Sequence, residues 1–249
     1  MTADARYDRF GWDYARFNPL EARAVAWYRA HARRTGGPIL ELACGTGRLL
    51  DLLVADGHEV VGLDRSSSML RQAAERVGNR ATLVEGDMAS FTLGRRFALA
   101  IIADNSLREF VSEAGILACL SRVRDHLQPG GCLLVTERRF DPARFVDGVA
   151  EHPWSPAGCD PDTGAEIERR VRVRLDAGQR RLHGEMTYRA VGGNETWALP
   201  FESIVLQPED YGRLFEVAGF HGELYVGYEA RPDDGIDPHL CFVARPASG

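Results

Sequence analysis

One segment, ILELACGTGR at positions 39–48, constrains the fold of this chain more than any other. A short apolar strand with a single carboxylate runs directly into Gly45 and Gly47, two glycines spaced so that the backbone can come close to a ligand. A second apolar run, residues 60–63, ends on Asp64, where an acid is placed to accept hydrogen bonds from a ribose diol. Together the two segments predict a Rossmann-like site for a nucleoside-containing cofactor.

The composition is that of an ordinary globular protein. The 249 residues, 45% of them hydrophobic and 27% charged, suffice for one large α/β domain or two small ones. No apolar run reaches the roughly 20 residues that span a bilayer, and the first residues lack the apolar core of a signal peptide, so we expect a cytoplasmic protein without membrane contact. The net charge of -6 gives no general attraction for a phosphate backbone, so we expect no nucleic-acid partner.

The cysteine and lysine contents exclude several classes of site. The five cysteines are scattered and form no CxxC pair, so we expect reduced thiols and no metal centre. All thirty basic residues are arginine. Schiff-base aldolases, pyridoxal phosphate enzymes and P-loop phosphotransferases each use a specific lysine, so this chain belongs to none of these classes.

Strand-like and helix-like patterns alternate from residue 19 to residue 137. Residues 97–102 form a nearly continuous apolar run, which is typical of a strand buried on both faces. Strands that alternate with helices at this spacing predict a parallel, doubly wound sheet. The predicted strands are residues 39–43, 59–63, 81–85, 97–102 and 132–137, with a turn at 128–131, and the predicted helices are residues 19–34, 49–56, 66–77 and 112–126.

The alternation ends after residue 137. Residues 140–164 contain four prolines and few periodic apolar positions, so they predict a long connection with one helical turn near residues 142–149. The expected fold is α/β, with a Rossmann-like, doubly wound, mostly parallel seven-stranded sheet and an inserted antiparallel meander. The meander strands are predicted at residues 167–175, 181–190 and 196–206, followed by a helix at 208–218 and strands at 223–228 and 240–244.

Two classes of cofactor fit a glycine turn of this kind. The fingerprint of a dinucleotide site needs a third glycine, but Leu50 occupies that position, which weakens an NAD interpretation. Glu41, four residues before Gly45, gives instead the pattern E-x-x-x-G-x-G. This pattern resembles motif I of the class I S-adenosylmethionine (SAM) dependent methyltransferases, in which the glycine turn lies against the aminoacyl part of SAM.

Companion motifs of the same family follow in order along the chain. Asp64 matches the family's ribose-binding acid, and the segment from Arg65 to Met69 matches the one that borders the adenosine. Residues 85–88 resemble the motif whose aspartate, here Asp87, accepts a hydrogen bond from the adenine amino group. The turn before the fifth strand and the last helix also have counterparts, at residues 127–131 and 206–220, so the resemblance covers about residues 36–137 and 200–245.

The resemblance implies SAM as cofactor, S-adenosylhomocysteine as product and one methyltransferase domain over residues 1–249. Within it, residues 1–35 would form an N-terminal helical lid, residues 36–140 and 200–249 the Rossmann-like core, and residues 141–199 the inserted loop and strands. Tyr14 belongs to the lid, whose tyrosine approaches SAM in family members; a helix packed on the sheet is the alternative. The implied cofactor-binding residues are Tyr14, Glu41, Ala43, Gly45, Thr46, Gly47, Asp64, Arg65, Met69, Asp87, Met88 and Ala103.

Each acid also fits a structural role when it is taken alone. Glu41 would serve as a partner for a backbone amine, Asp64 as a helix cap and Asp87 as a turn former. Taken as a set, the three acids favour the cofactor role. Cys44 lies inside the glycine turn, but nothing beside it in the sequence would lower the pKa of its thiol, so we interpret it as a small spacer.

The methyl acceptor is expected beside the two loops that follow the fourth and fifth strands. Ligands of open α/β sheets bind beyond the carboxyl ends of the strands, which points to residues 103–108 and 138–140. Asp104 would contact the cofactor or cap the following helix. The arginines would suit an anionic acceptor, and an ordinary surface role is the alternative. The candidate substrate-lining residues are Asn105, Arg108, Arg138, Arg139 and His152.

One branch of the family is closer than the rest. Residues 86–97, GDMASFTLGRRF, and the long connection before the meander are similar to the nucleotide-amino-sugar N-methyltransferases of bacterial antibiotic pathways. In that branch the inserted strands cover the substrate cleft or support dimerisation, so a homodimer is one expectation beside the small-molecule acceptor. The chain departs from the branch at residues 105–108 and 137–140, where the branch has small hydroxyl residues and paired aromatics.

These observations predict SAM-dependent methyl transfer to an N or O atom of a small molecule in secondary metabolism, by direct in-line displacement. A neutral amine needs no base before attack, whereas a hydroxyl does, and none of His152, His183 and His239 can be assigned as that base. Two alternatives stay open. One is an NAD-linked oxidoreductase, which Leu50 disfavours, and the other is a non-catalytic SAM-binding subunit that regulates or scaffolds a partner.

Overall fold

The computed structural model describes residues 20–160 and 163–247. Tyr14, the cofactor contact predicted in the N-terminal segment, lies outside the described residues. The chain divides into two compact units. Residues 20–140 with 206–247 form the sheet unit, and residues 141–160 and 163–205 are the described part of the insert unit.

Helices and strands alternate along most of the chain. In chain order the elements are α1 (Ala22–Thr35), β1 (Ile39–Leu42), α2 (Arg48–Ala55), β2 (Val60–Asp64), α3 (Ser67–Val77), β3 (Thr82–Glu85), β4 (Phe97–Ile102), α4 (Glu113–His126), β5 (Leu127–Arg138), β6 (Val149–Cys159), β7 (Glu166–Asp176), β8 (Arg181–Ala190), β9 (Thr196–Ile204), α5 (Pro208–Val217), β10 (Phe220–Val226) and β11 (His239–Pro246). The Ser66 hydroxyl caps α3 by accepting a hydrogen bond from the Met69 N–H at 3.3 Å, as the sequence predicts.

The sheet unit contains seven strands in the order β10-β11-β5-β4-β1-β2-β3. Strands β1 to β5 pair in parallel, whereas β11 runs antiparallel to β5 and β10. β4 is buried along its whole length, as its apolar sequence predicts. The strand order reverses between β1 and β4, so the loops that follow these two strands leave the same edge, where open α/β sheets bind ligands. The predicted fold class is confirmed.

The turn predicted at residues 128–131 is wrong, because these residues belong to β5. Phe97 pairs with Leu127 but Leu99 pairs with Cys132, so the extra residues of β5 form a bulge. Gly130 adopts a φ of 78°, and a Cβ at Gly131 would lie 3.1 Å from the carbonyl oxygens of Phe97 and Ala98. Glycine permits the bulge at both positions, and this is why the segment has the sequence of a turn.

The insert unit is a four-stranded antiparallel sheet in the order β6-β7-β8-β9. The three predicted meander strands are present, but the long connection predicted over residues 140–164 is wrong, since β6 lies within it. The prolines of β6 are typical of a loop, so the sequence does not predict this strand. β6 is an edge strand, where proline is tolerated, and Pro153 and Pro156 coincide with breaks in its pairing with β7. The opposite edge strand, β9, carries Pro200. The predicted helical turn is a 3-10 turn over Pro142–Arg144.

A close contact between α2 and β2 determines how the glycine turn leaves the sheet. Leu50 on α2 is fully buried, and a Cβ at Gly62 in β2 would lie 2.5 Å from Leu50 Cδ1 and 2.9 Å from Cys44 Sγ. A dinucleotide site keeps its third glycine on the helix so that helix and strand can approach. In this protein the strand carries the glycine and the helix carries the large side chain.

Substituting Gly62 by alanine should therefore destabilise the protein by about 1–3 kcal/mol, because the added methyl group overpacks the contact with Leu50. Urea unfolding of the full chain measures the change. In a Leu50→Ala background the same glycine substitution should cost less, since the clashing methyl groups are gone. Strictly additive effects of the two substitutions would contradict this contact.

Candidate functional site

The glycine turn between β1 and α2 is a tight backbone structure held against α3. Ala43, Gly45 and Gly47 have φ values of 53°, 54° and 71°, in the left-handed region, and the Gly47 N–H donates to the Cys44 carbonyl at 3.0 Å. A Cβ at Gly47 would lie 3.0 Å from Ala73 Cβ on α3. The turn therefore brings main-chain groups to the carboxyl edge of the sheet without intervening side chains.

The Asp64 carboxylate joins the glycine turn to the start of α3. One oxygen accepts a hydrogen bond from the Gly45 N–H at 2.8 Å, and the other accepts one from the Ser66 N–H at 2.9 Å. Burial raises the pKa of Asp64 above its usual value, and these two backbone N–H groups oppose that shift. Each oxygen still has capacity for a further hydrogen bond, as a ribose hydroxyl would require.

Two buried polar atoms beside the turn lack hydrogen-bond partners among the described residues. They are Glu41 Oε2 and Thr46 Oγ1, in side chains whose residues are only 4% and 1% exposed. Burial raises the pKa of Glu41 well above its usual value, while nearby Arg48 and a hydrogen bond from the Leu50 backbone N–H oppose this. Buried polar groups are nearly always paired, so these two atoms fit a ligand that supplies hydrogen-bonding groups.

An ion pair links the glycine turn to the loop after β4. Arg48 Nη2 lies 3.0 Å from Asp104 Oδ2, and both side chains are partly buried. Arg48 is missing from the predicted site residues. Its position in the sequence nevertheless indicates an acidic partner. A cation at the first position of α2 is disfavoured by the positive end of the helix dipole, and a nearby acid stabilises it.

The loop after β4 is anchored to β5. Asp104 and Asn105 are consecutive non-glycine residues in the left-handed region, with φ values of 53° and 68°. The Asp104 N–H donates to Thr136 Oγ1 at 3.2 Å, and the Asn105 N–H donates to the Thr136 carbonyl at 3.1 Å. The Arg138 N–H donates to Asn105 Oδ1 at 2.6 Å. The Asn105 amide oxygen therefore helps to hold this loop, and the acceptor contact of Asn105 stays a prediction.

Glu137 at the end of β5 is a buried acid that the sequence analysis did not single out. Its residue is 2% exposed; one carboxyl oxygen accepts from the Leu107 N–H and the other from the Tyr211 hydroxyl, each at 3.2 Å. Burial raises the pKa of Glu137 to about 8, although Arg108 opposes the shift. The side chain connects the turn Ser106–Glu109 to α5.

Protonation of Glu137 should make the free energy of unfolding fall as the pH rises between about 4.5 and about 8. Its pKa is about 8 in the folded protein and 4.5 when unperturbed, so between these values the folded state retains a proton that the unfolded state has lost. A Glu137→Gln variant should lose this slope, which is at most about 1.4 kcal/mol per pH unit for one proton. Urea unfolding from pH 5 to pH 8 measures it, with Glu75→Gln on the exposed face of α3 as a control, and parallel curves for wild type and Glu137→Gln would contradict the assignment.

Two of the three predicted acceptor-side arginines, Arg138 and Arg139, lie in a charged network at the ends of β5 and β11. Arg139 forms an ion pair with Asp233, and Arg138 Nη2 lies 3.4 Å from His239 Nε2. His239 is buried, and its Nε2 also lies 3.1 Å from Glu21 Oε1. These contacts hold His239, one of the three candidate bases, within this charged network. Arg108 is half-buried on the turn after β4.

The other two histidine candidates belong to the insert unit. His152 is exposed, and its Nε2 accepts a hydrogen bond from Arg144 Nη2 at 2.7 Å. Partial burial, with Arg144 adding to it, lowers the pKa of His152. His183 Nδ1 lies 3.0 Å from Glu202. His152 and His183 are therefore each engaged with a neighbour in the insert unit, and His239 is engaged in the network of the sheet unit.

The remaining predicted cofactor residues lie along the same edge of the sheet unit. Asp87 is exposed and accepts a hydrogen bond from the Ala89 N–H at 2.7 Å, so it does form a turn after β3. Met69 is buried on α3, Arg65 is exposed, and Met88 and Ala103 are half-buried.

The thiols offer no reactive group at the turn. Cys44 is buried, and burial raises the pKa of its thiol well above the usual value. In the part of the chain that the structure describes, no three His, Cys, Asp or Glu side chains are grouped as metal ligands. No helix among those residues is long and apolar enough to cross a membrane.

The strand order and the placement of these groups define a class of protein. A glycine turn after β1 and an acid that closes β2, on a seven-stranded sheet with one antiparallel edge, are the arrangement of a class I SAM-dependent methyltransferase. The family model described as a methyltransferase domain matches residues 39–131.

Known proteins match the chain over most of its length. It is 33% identical over 246 residues to the dTDP-3-amino-3,4,6-trideoxy-alpha-D-glucopyranose N,N-dimethyltransferase of Streptomyces venezuelae, covering 97% of this chain and 96% of that protein. It is 30% identical over 220 residues to the dTDP-3-amino-3,6-dideoxy-alpha-D-glucopyranose N,N-dimethyltransferase of Streptomyces fradiae, covering 87% and 81%. The structure of the CcbJ methyltransferase from Streptomyces caelestis matches with a TM-score of 0.80 at 24% identity, covering 99% of this chain and 100% of that one. The chain therefore belongs to the class I SAM-dependent methyltransferases.

The predicted enzyme class and cofactor are thereby confirmed, and SAM replaces the NAD alternative. The glycine turn fits the aminoacyl end of SAM. The unpaired Glu41 and Thr46 oxygens match a group that carries both an ammonium and a carboxylate, and Asp64 retains acceptor capacity for the ribose.

Replacing Asp64 with alanine should weaken SAM binding by about 1–3 kcal/mol, through loss of charged hydrogen bonds. Calorimetry with SAM and S-adenosylhomocysteine measures the effect. Because Asp64 also holds the Ser66 N–H, Ser66→Ala serves as a control that disturbs the start of α3 but keeps the carboxylate. Unchanged affinity in Asp64→Ala would remove Asp64 from the cofactor site.

Proposed function

We propose that the protein methylates the amino nitrogen of a nucleotide-linked deoxysugar in secondary metabolism. The observation that carries this proposal is the 33% identity, over 97% of the chain, to an N,N-dimethyltransferase named for a dTDP-3-amino sugar. The second relative is also named for N,N-dimethylation of a dTDP-3-amino sugar. The two share the nucleotide, the position of the amine and the number of methyl groups, so we expect the same class of acceptor here.

The chemistry of the site supports an amine over a hydroxyl. An amine attacks in its neutral form and needs no strong base, whereas a hydroxyl has to lose its proton. His239, the candidate base in the sheet unit, is buried and bonded within its own network. Glu41, Asp64 and Asp104 give this edge an acidic character that suits a sulfonium cofactor and an amine.

The protein's task in this reaction is positioning. SAM, when bound, supplies a methyl group already activated by its sulfonium. The glycine turn and Asp64 would hold the cofactor over β1 and β2, while the loop anchored by Thr136 borders it on the β4 side. Holding an amine in line with the methyl carbon and excluding water accounts for the acceleration.

Several assignments belong to this proposal. We assign cofactor binding to Glu41, Ala43, Gly45, Thr46, Gly47, Asp64, Arg65, Met69, Asp87, Met88 and Ala103, with Tyr14 from the lid, and acceptor contacts to Asn105, Arg108, Arg138, Arg139 and His152. We further propose a single methyltransferase domain with an insertion at residues 141–199, a cytoplasmic location, no nucleic-acid partner and a homodimer as one mode of assembly.

The test is methyl transfer from isotopically labelled SAM, read by mass spectrometry. The acceptors are the dTDP-3-amino sugars of the two relatives, with matched dTDP sugars that carry a hydroxyl in place of the amine as controls. We expect one and then two methyl groups on the amine and none on the hydroxyl controls.

Two outcomes would contradict the proposal. Transfer to the hydroxyl compounds in preference to the amines would show that the protein methylates oxygen. Tight SAM binding without turnover on any amino sugar would favour the non-catalytic, regulatory alternative.

A further inference from the structure

The loop after β4 holds an acidic side chain, Asp104, whose ion pair with Arg48 involves one of its two carboxylate oxygens. Asp104 follows the point where the strand order reverses, at the edge where ligands of open sheets bind. Three hydrogen bonds with β5 hold Asp104 and Asn105 in the left-handed conformation, which is uncommon for non-glycine residues: the Asp104 and Asn105 N–H groups donate to Thr136, and the Arg138 N–H donates to Asn105 Oδ1. A conformation that the neighbouring strand enforces so fully fixes where the Asp104 carboxylate lies.

The Asp104 carboxylate keeps an oxygen available. Oδ2 pairs with Arg48 Nη2 at 3.0 Å, whereas Oδ1 forms no hydrogen bond within residues 20–160 and 163–247. The side chain is 30% exposed. Arg48 therefore fixes the orientation of the carboxylate without consuming it.

Three neighbouring acids of the sheet unit differ from Asp104 in their burial or in their hydrogen bonds. Glu41 is buried beneath the glycine turn, and each Asp64 oxygen already accepts a hydrogen bond from a backbone N–H group. Glu137 is buried and bonded to Leu107 and Tyr211. Asp104 thus differs from these three in combining exposure with an oxygen that has no partner in the described chain.

We propose that the Asp104 carboxylate stabilises the positive charge that forms on the acceptor nitrogen during methyl transfer and takes up the proton that this nitrogen releases. The inference rests on the proposed amine acceptor. An anion placed beside the nitrogen favours the transition state, because positive charge moves from sulfur to nitrogen as the reaction proceeds.

The step balances in electrons and protons. The nitrogen lone pair forms a bond to the methyl carbon while the carbon–sulfur bond breaks and its electron pair goes to sulfur. The nitrogen then carries a positive charge, and one of its protons passes to Asp104 Oδ1 and from there to water. Loss of this proton restores a lone pair, which a second methylation requires.

The experiment compares two ligands that differ in charge at the reaction centre. S-adenosylhomocysteine is neutral there, whereas sinefungin carries an ammonium group at the position of the transferred methyl. Calorimetry on the full chain gives both dissociation constants for wild type, Asp104→Asn, Asp104→Gly and Glu109→Gln. Asparagine and glycine both tolerate the left-handed conformation, and Glu109→Gln removes an equal charge from the same loop.

We expect both Asp104 variants to bind sinefungin about tenfold more weakly, the effect of one charge-assisted hydrogen bond, while their affinity for S-adenosylhomocysteine changes by no more than about twofold. Glu109→Gln should change neither constant. Equal weakening of both ligands would assign Asp104 a purely structural role and overturn the inference, as would unchanged sinefungin binding. A wild-type protein that binds neither ligand would instead overturn the proposed function on which the inference rests.

Discussion

The Asp64 carboxylate is the interaction on which the site depends. β1 and β2 are adjacent and parallel, so the connections that follow them leave the sheet at the same edge. Asp64 joins these connections by accepting from the Gly45 N–H and the Ser66 N–H. It thereby fixes the glycine turn relative to the first turn of α3, and the close contact of Gly47 with Ala73 completes the joint. Hydrogen bonds that a backbone N–H donates to a carboxylate are among the stronger hydrogen bonds in proteins.

Three buried carboxyl groups at this edge are satisfied to different degrees. Asp64 has two backbone donors, and Glu137 has Leu107 and Tyr211. Glu41 keeps one oxygen without a partner among the described residues. Burial raises the pKa of all three groups, because it disfavours their charged forms. Asp64 and Glu137 thus each join separate segments of the chain, whereas one Glu41 oxygen keeps acceptor capacity that none of the described residues uses.

The sequence predicts the sheet unit well because its signals are local. The apolar run of β4, the glycine turn and the Ser66 cap each act within a few residues. β6 was missed because an edge strand tolerates the prolines that the same local rules assign to loops. The partners of Glu137 and the clamp on Asn105 join residues far apart in the chain, and periodicity carries no information about such contacts. The sequence therefore carries no signal for the role of the Asn105 amide oxygen in holding the loop.

The prolines at both edges of the four-stranded sheet restrict how the insert unit can associate. Pro153 and Pro156 on β6 and Pro200 on β9 have no N–H to offer an incoming strand. At these three positions a strand of a second copy would find no N–H donor, which disfavours extension of this sheet by a strand and favours assembly through a face. Its strength and specificity would then come from side-chain packing, which point substitutions alter freely, rather than from a main-chain ladder that tolerates almost any sequence.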